Sequence, residues 1–174
     1  KSLVREVKTD DAGCFQSALN PGLTKIAVIE RHKRTGKRGI GILEGYGLTG
    51  GAIATTISHD SHNIVVAGDN DPDMLLAVRE LADMGGGIVS VHGGAIRRLP
   101  LPIAGLMTSA DPQEVNAVLH DMLVAARAEL GIPEDVEPFM TLSFMALPVI
   151  PELKLTARGL FNVNTFSFIG VEAD

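Results

Sequence analysis

Residues 24–44 read TKIAVIERHKRTGKRGIGILE, and this stretch sets the frame for the rest of the chain. Residues 24–30 are rich in β-branched side chains, the composition of a buried strand. Residues 39–44 form a second such run. Between them Arg31, Lys33, Arg34, Lys37 and Arg38 crowd around Gly36, which reads as a turn that stays in water, the other reading being a local basic patch for nucleic acid. Two apolar runs joined by a polar turn predict a β-hairpin.

Further along, residues 52–57 and 63–67 are two more strand-like runs. They are separated by the polar string Ser58-His59-Asp60-Ser61-His62-Asn63. A helix is marked next, with Asp71 placed as N-cap and Pro72 at the first helical position, where its missing N–H costs nothing. Met74, Leu75, Val78, Leu81 and Ala82 then share one face at helical spacing, and Gly85 is the stop. Residues 87–91 and 95–98 predict a hairpin closed at Gly93-Gly94. A second helix repeats the pattern, with Asp111 as cap, Pro112 after it and Glu114 in capping-box position. Its stripe is Val115, Val118, Leu119, Met122, Leu123, Ala126 and Leu130, ended by Gly131 and Pro133. Residues 140–145 and 165–169 are strand-like. Two main helices against about eight short strands predict an α+β domain with a mixed, largely antiparallel sheet. Residues 1–22 are polar and end in Asn20-Pro21-Gly22, so they are read as an N-terminal segment or linker before a domain at 23–174.

Composition narrows the function classes. The 174 residues carry a formal net charge of -6, so the chain as a whole does not attract nucleic acid. No apolar run approaches the ~20 residues that cross a bilayer, and no membrane partner is expected. Cys14 is the single cysteine, which rules out an intrachain disulfide and fits a reducing cytoplasm. Gly47, Gly50 and Gly51 lack the Lys-Ser/Thr of a phosphate-binding loop, no Gly-x-Ser-x-Gly elbow occurs, and Cys14 has no base beside it.

The densest polar cluster is 58–63. His59 and His62 stand three apart with Asp60 between them, and imidazole with carboxylate suits divalent iron, manganese or zinc. The spacing is not that of a zincin helix or a zinc finger, so His59 and His62 are weak metal candidates, and a loop of local side-chain caps explains the string equally well. Glu30 and His32 end the first strand. They read either as a strand terminus entering the basic turn or as partners of His59 and His62 across neighbouring strands. His92 and His120 are read as exposed.

Several strings taken in order resemble the C-terminal region of adenine deaminases of the amidohydrolase superfamily. They are KIAVIERHKRTG (25–36), IATTISHDSHNIVVAGDND (53–71), LPLPIAGLM (99–107), PFMTLSFMALPVIPELKLT (138–156) and GLFNV (159–163). The resemblance implies a part in hydrolysing adenine to hypoxanthine and ammonia in purine salvage. It implies a (β/α)₈ barrel of the same enzyme as partner, holding iron, manganese or zinc, with adenine as substrate. Amidohydrolases present a His-x-His pair that none of the five histidines here forms, and a barrel needs at least ~200 residues. No catalytic residue is therefore assigned, and the isolated chain is expected to be inactive. Ser58, His59, Asp60, Ser61, His62, Asn63, Glu30 and His32 are candidates for touching substrate or orienting a metal ligand. The alternatives are a non-catalytic binding or oligomerisation module, including a homo-oligomer, and an autonomous metal-binding hydrolase.

Overall fold

The computed structural model describes residues 3–172. The first hairpin is β1 (Leu23–Ile29) and β2 (Arg38–Glu44), antiparallel with Val28 opposite Gly39 and Leu23 opposite Glu44. β3 (Gly51–Thr55) and β4 (Ile64–Gly68) flank the 58–63 string, and β4 also pairs with β1. β5 (Gly87–His92) and β6 (Ala95–Pro100) turn at Gly93 and Gly94, whose φ values of 54° and 81° are the left-handed ones a two-residue hairpin needs. β5 docks on β3, giving a six-stranded antiparallel sheet in the order β2-β1-β4-β3-β5-β6. A smaller sheet holds β7 (Leu153–Thr156), β8 (Gly159–Asn162) and β9 (Ser167–Ile169). The class is α+β, as the sequence implies.

The central strands are covered on both faces, which is why they read as unbroken apolar runs instead of alternating ones. Ala52, Ala54, Ile64, Val66, Val89 and Val91 pack with Met74, Ala77 and Leu81 of α1 (Asp71–Asp83). Their sequence neighbours Ile53, Val65, Ala67 and Ile88 enter the opposite layer. There they meet Met122 and Ala126 of α2 (Pro112–Ala128), Phe139 and Leu142 of α3 (Pro138–Met145), and Leu155 of β7. Adjacent arginines on β6 tie down one helix each. Arg97 grips Glu129 at the end of α2 through both terminal nitrogens (2.8 and 2.7 Å), and Arg98 meets Glu80 of α1 at 2.5 Å. Successive strand residues point to opposite faces, so this pair fastens both helix layers from one edge.

The structure moves several expected details. The first helix is capped by Asn70, whose side chain accepts the Asp73 N–H, and Asp71 is already helical. Leu75, Ala82 and Val118 are exposed, so each apolar stripe is narrower than its spacing suggests. Residues 140–145 belong to a helix, not a strand, because Glu137 caps the Met140 N–H and Pro138 opens the first turn. The buried Tyr46 hydroxyl donates to the Pro138 carbonyl (2.9 Å) and pins that helix in place. The β7–β8 hairpin was not anticipated. It closes tightly on β2, since a β-carbon at Gly39 would fall 2.1 Å from the Thr156 carbonyl oxygen.

The segment read as polar and linker-like has contacts of its own. Asn20 is buried, accepts the Lys8 N–H and donates to the Lys8 carbonyl, both at 2.8 Å, and Arg5 pairs with Glu44.

Burial singles out Met122, with no exposed surface, from Val118 one turn earlier on α2, at 38%. Met122→Ala is expected to cost about 2–5 kcal/mol, whereas Val118→Ala should stay within about 0.5 kcal/mol. Urea unfolding of both variants checks this, and equal effects would show that α2 is seated otherwise.

Candidate functional site

Antiparallel pairing gathers separate segments at one end of the large sheet. They are residues 30–32 after β1, the 56–63 connection between β3 and β4, Gly86 ahead of β5, and 101–107 after β6. Thr56 and Arg31 join them. The Thr56 hydroxyl donates to the Gly105 carbonyl (2.6 Å) and accepts the Gly87 N–H (2.8 Å). Arg31 donates from Nε to the His62 carbonyl and from a terminal nitrogen to the Ala104 carbonyl, both at 2.6 Å, and its backbone N–H reaches Asn63 Oδ1 at 3.3 Å. His62 and Ala104 both have positive φ, 47° and 60°. Their carbonyls are thus turned to one guanidinium, whose fixed fork of donors suits two acceptors at once.

The string 58–63 divides into inward and outward residues. Ser58 and Asn63 are buried, and the Ser58 hydroxyl has no partner among the described residues. Asp60 and Ser61 are exposed, while His59 and His62 are half-buried. The His59 ring stacks on Phe144 (centroids 5.2 Å apart, planes at 17°), and its backbone N–H donates to the Ser143 carbonyl at 3.1 Å. His62 lies 5.8 Å from His59, centroid to centroid, and its Nδ1 faces the Ser58 N–H at 3.4 Å. His32 reaches the Ser61 carbonyl through Nε2 at 2.7 Å.

Of the two candidates ending β1, only His32 joins the cluster. Glu30 turns back on its own turn, accepting the N–H groups of His32, Lys33 and Thr35 and the Thr35 hydroxyl. Those bonds, the Thr35 N–H foremost, hold its carboxyl at about 2. Glu30 is a turn-forming residue. Arg31, Ser143 and Phe144 are the members that sequence reasoning missed. Arg31 stood inside a basic run read as solvated, and Phe144 inside a segment read as strand.

The donor set does not fit a metal ion. His59 lies flat on a phenyl ring, His62 offers Nδ1 to a backbone N–H, and the described residues contain no group of three or more His, Cys, Asp or Glu side chains placed to hold one. What the rim offers is hydrogen bonding and one imidazole biased to neutrality. Burial lowers the pKa of His62 first, with His59 and Arg31 adding to the effect and Asp60 opposing it.

His62 should therefore titrate below its usual 6.5 in an NMR titration, and Asp60→Asn should lower it further. The sign for stability follows. Above pH 6.5 neither state protonates His62. Below it the unfolded chain takes the proton first, so stability falls as the pH drops through the folded-state value. His62→Gln should flatten that acid-side loss. A His62 titration at or above 6.5 in the folded protein would contradict this account.

Similarity to known proteins accords with this construction. A sequence model of the family described as the adenine deaminase C-terminal domain matches residues 1–167. The chain is 60% identical over 171 residues to the adenine deaminase of Nitratidesulfovibrio vulgaris, covering 98% of this chain and 29% of that protein. It is 48% identical over 170 residues to the adenine deaminase of Clostridium acetobutylicum, covering 97% and 30%. It is 48% identical over 172 residues to adenine deaminase 2 of Carboxydothermus hydrogenoformans, covering 98% and 30%. The chain thus spans less than a third of the length of these curated relatives. With the match running from the N-terminal segment through the rim loop to the small sheet, the chain belongs to the adenine deaminase C-terminal domain family.

Proposed function

We propose that this chain serves as the C-terminal domain of a metal-dependent adenine deaminase of the amidohydrolase type, working in purine salvage in the cytoplasm. In this reading it packs on the catalytic barrel of the same enzyme, with the 58–63 rim at the mouth of the adenine site. The reading is supported by relatives that are named adenine deaminase and are more than three times as long as the matched segment. The observation that carries the placement of the rim is its construction. Arg31 and Phe144 fix a strongly polar loop whose His59, Asp60, Ser61 and His62 remain accessible while Ser58 and Asn63 face inward.

The donor set of this chain does not suit the metal, so the metal and the activated water belong to the barrel in this reading. The task left to the rim is to exclude water and to present hydrogen-bonding groups to the ring nitrogens or to a metal ligand. Neutral His62 has one ring nitrogen that donates and one that accepts. Asp60 at the tip supplies a carboxylate. The half-buried His59 is held by its stack on Phe144, and such restraint matters because a misplaced group of this kind loses most of its effect.

Two outcomes are expected. The isolated chain should release no ammonia from adenine, and metal-dependent release free of contaminating enzyme would make it an autonomous hydrolase instead. In the full-length protein, His59→Asn, Asp60→Asn and His62→Asn should lower kcat/KM by about 10–100-fold in at least one case, with fold and metal content retained. Unchanged activity in all three would remove the rim from the site and leave a binding or oligomerisation module as the better reading.

A further inference from the structure

The basic turn after β1 and the β7–β8 turn are distant in sequence and meet at the start of β2. Between them is a shallow, open depression of ≈ 320 Å³ lined by Lys37, Arg38, Ala157 and Arg158. Three of its four lining residues are cations. The ion pairs among the described residues engage Arg5, Lys25, Arg97, Arg98 and Arg127, and none reaches these three. Glu30, the only acid in residues 30–38, is committed to the backbone of its own turn. On a chain of net charge -6, this leaves a local positive field facing an open space.

The cleft is also held in shape. Gly39 lets the Thr156 carbonyl approach so closely that the two turns are locked together, because any β-carbon at that position would collide with it. Arg158 is placed from beneath by Phe168, with its guanidinium carbon 4.7 Å from the ring centroid. Its backbone N–H is fixed by the Thr156 hydroxyl at 3.1 Å. Lys37, Arg38 and Arg158 are exposed and have no ion-pair partner among the described residues, so their charges are free to meet an oxyanion. Arginine pairs geometrically with phosphate oxygens, and two of the three cations here are arginines.

We propose that the cleft between the 31–38 turn and the β7–β8 turn binds a small phosphate-bearing anion through Lys37, Arg38 and Arg158. It stands at the same end of the sheet as the rim at 58–63, since Arg38 pairs with Ile29 and Ile29 with Ile64, but it shares no lining residue with that rim, and the proposal does not depend on the role given to it.

The test is calorimetric titration of the full-length protein with inorganic phosphate and, separately, with ribose 5-phosphate at about 0.15 M salt. Neither probe contains the adenine ring. Binding with a Kd of about 1 mM or tighter is expected for at least one probe. Tighter binding of the sugar phosphate identifies an ester ligand, and equal binding identifies free phosphate. Arg38→Gln and Arg158→Gln should each weaken binding about tenfold or more, while Arg79→Gln, an exposed cation on α1, should leave it unchanged. Phe168→Leu keeps every charge and removes the ring under Arg158, so it should weaken binding by a smaller factor with an unchanged thermal midpoint. No binding of either probe would overturn the proposal. So would equal losses from Arg79→Gln and Arg158→Gln, or binding of a short oligonucleotide with no response to either small probe.

Discussion

Ala52 to Thr55 of β3 pair with Val65 to Gly68 of β4 at the centre of the large sheet, and both strands are buried along their whole length. A strand with no solvent face must be covered twice, because each exposed apolar face would cost roughly 25 cal/mol per Å². That requirement dictates most of what surrounds it. α1 supplies Met74, Ala77 and Leu81 to one face, while α2, α3 and the small sheet supply the other. The two layers are linked through β6, where Arg97 and Arg98 bond to opposite helices.

The same pairing creates the candidate site. An antiparallel sheet delivers alternate connections to the same end, so residues 30–32, 56–63 and 101–107 become neighbours without sharing any sequence signal. They are fastened by backbone carbonyls turned toward Arg31 and by the Thr56 hydroxyl. The charge of Arg31 is thereby committed to structure, and its nearness helps to keep His62 neutral. The end of the sheet thus has a cation inside and imidazoles and a carboxylate outside. Lys37, Arg38 and Arg158, which no ion pair among the described residues reaches, gather where the 31–38 turn meets the β7–β8 turn.

Legibility in the sequence followed the range of the interaction. The hairpins at 24–44 and 87–100 were legible because composition and turn glycines act over a few residues. Both long helices were legible from proline and periodicity, and the second also from its Asp111 cap. Residues 140–145 were misread because the periodicity of so short an apolar segment does not separate strand from helix, and the Glu137-Pro138 start was passed over. The widths of the apolar stripes were overstated, since spacing shows which residues share a face but not how far that face is covered. Leu75 and Val118 lie beyond the covered part. In the site, His59, Asp60 and His62 stood out as a string, yet Glu30 was left between two readings, of which the strand-terminus one holds, and Arg31 had no role.

By itself the sequence determined the α+β class, the two outer hairpins, the two long helices, the polar string at 58–63 and the family. Each of these is written in local composition, in spacing, or in an ordered set of strings. Only the tertiary structure decided which strands adjoin, because β1 meets β4 with β2 and β3 lying between them in the sequence, and nothing local encodes that register. It also decided that Glu30 folds back on its own turn, that His59 rests on Phe144, and that Arg158 comes to stand beside Lys37 and Arg38. The physical reason is common to all three. A polar side chain takes its role from the partners that surround it in space, and those partners are brought together by burial of the apolar faces on either side of the central strands.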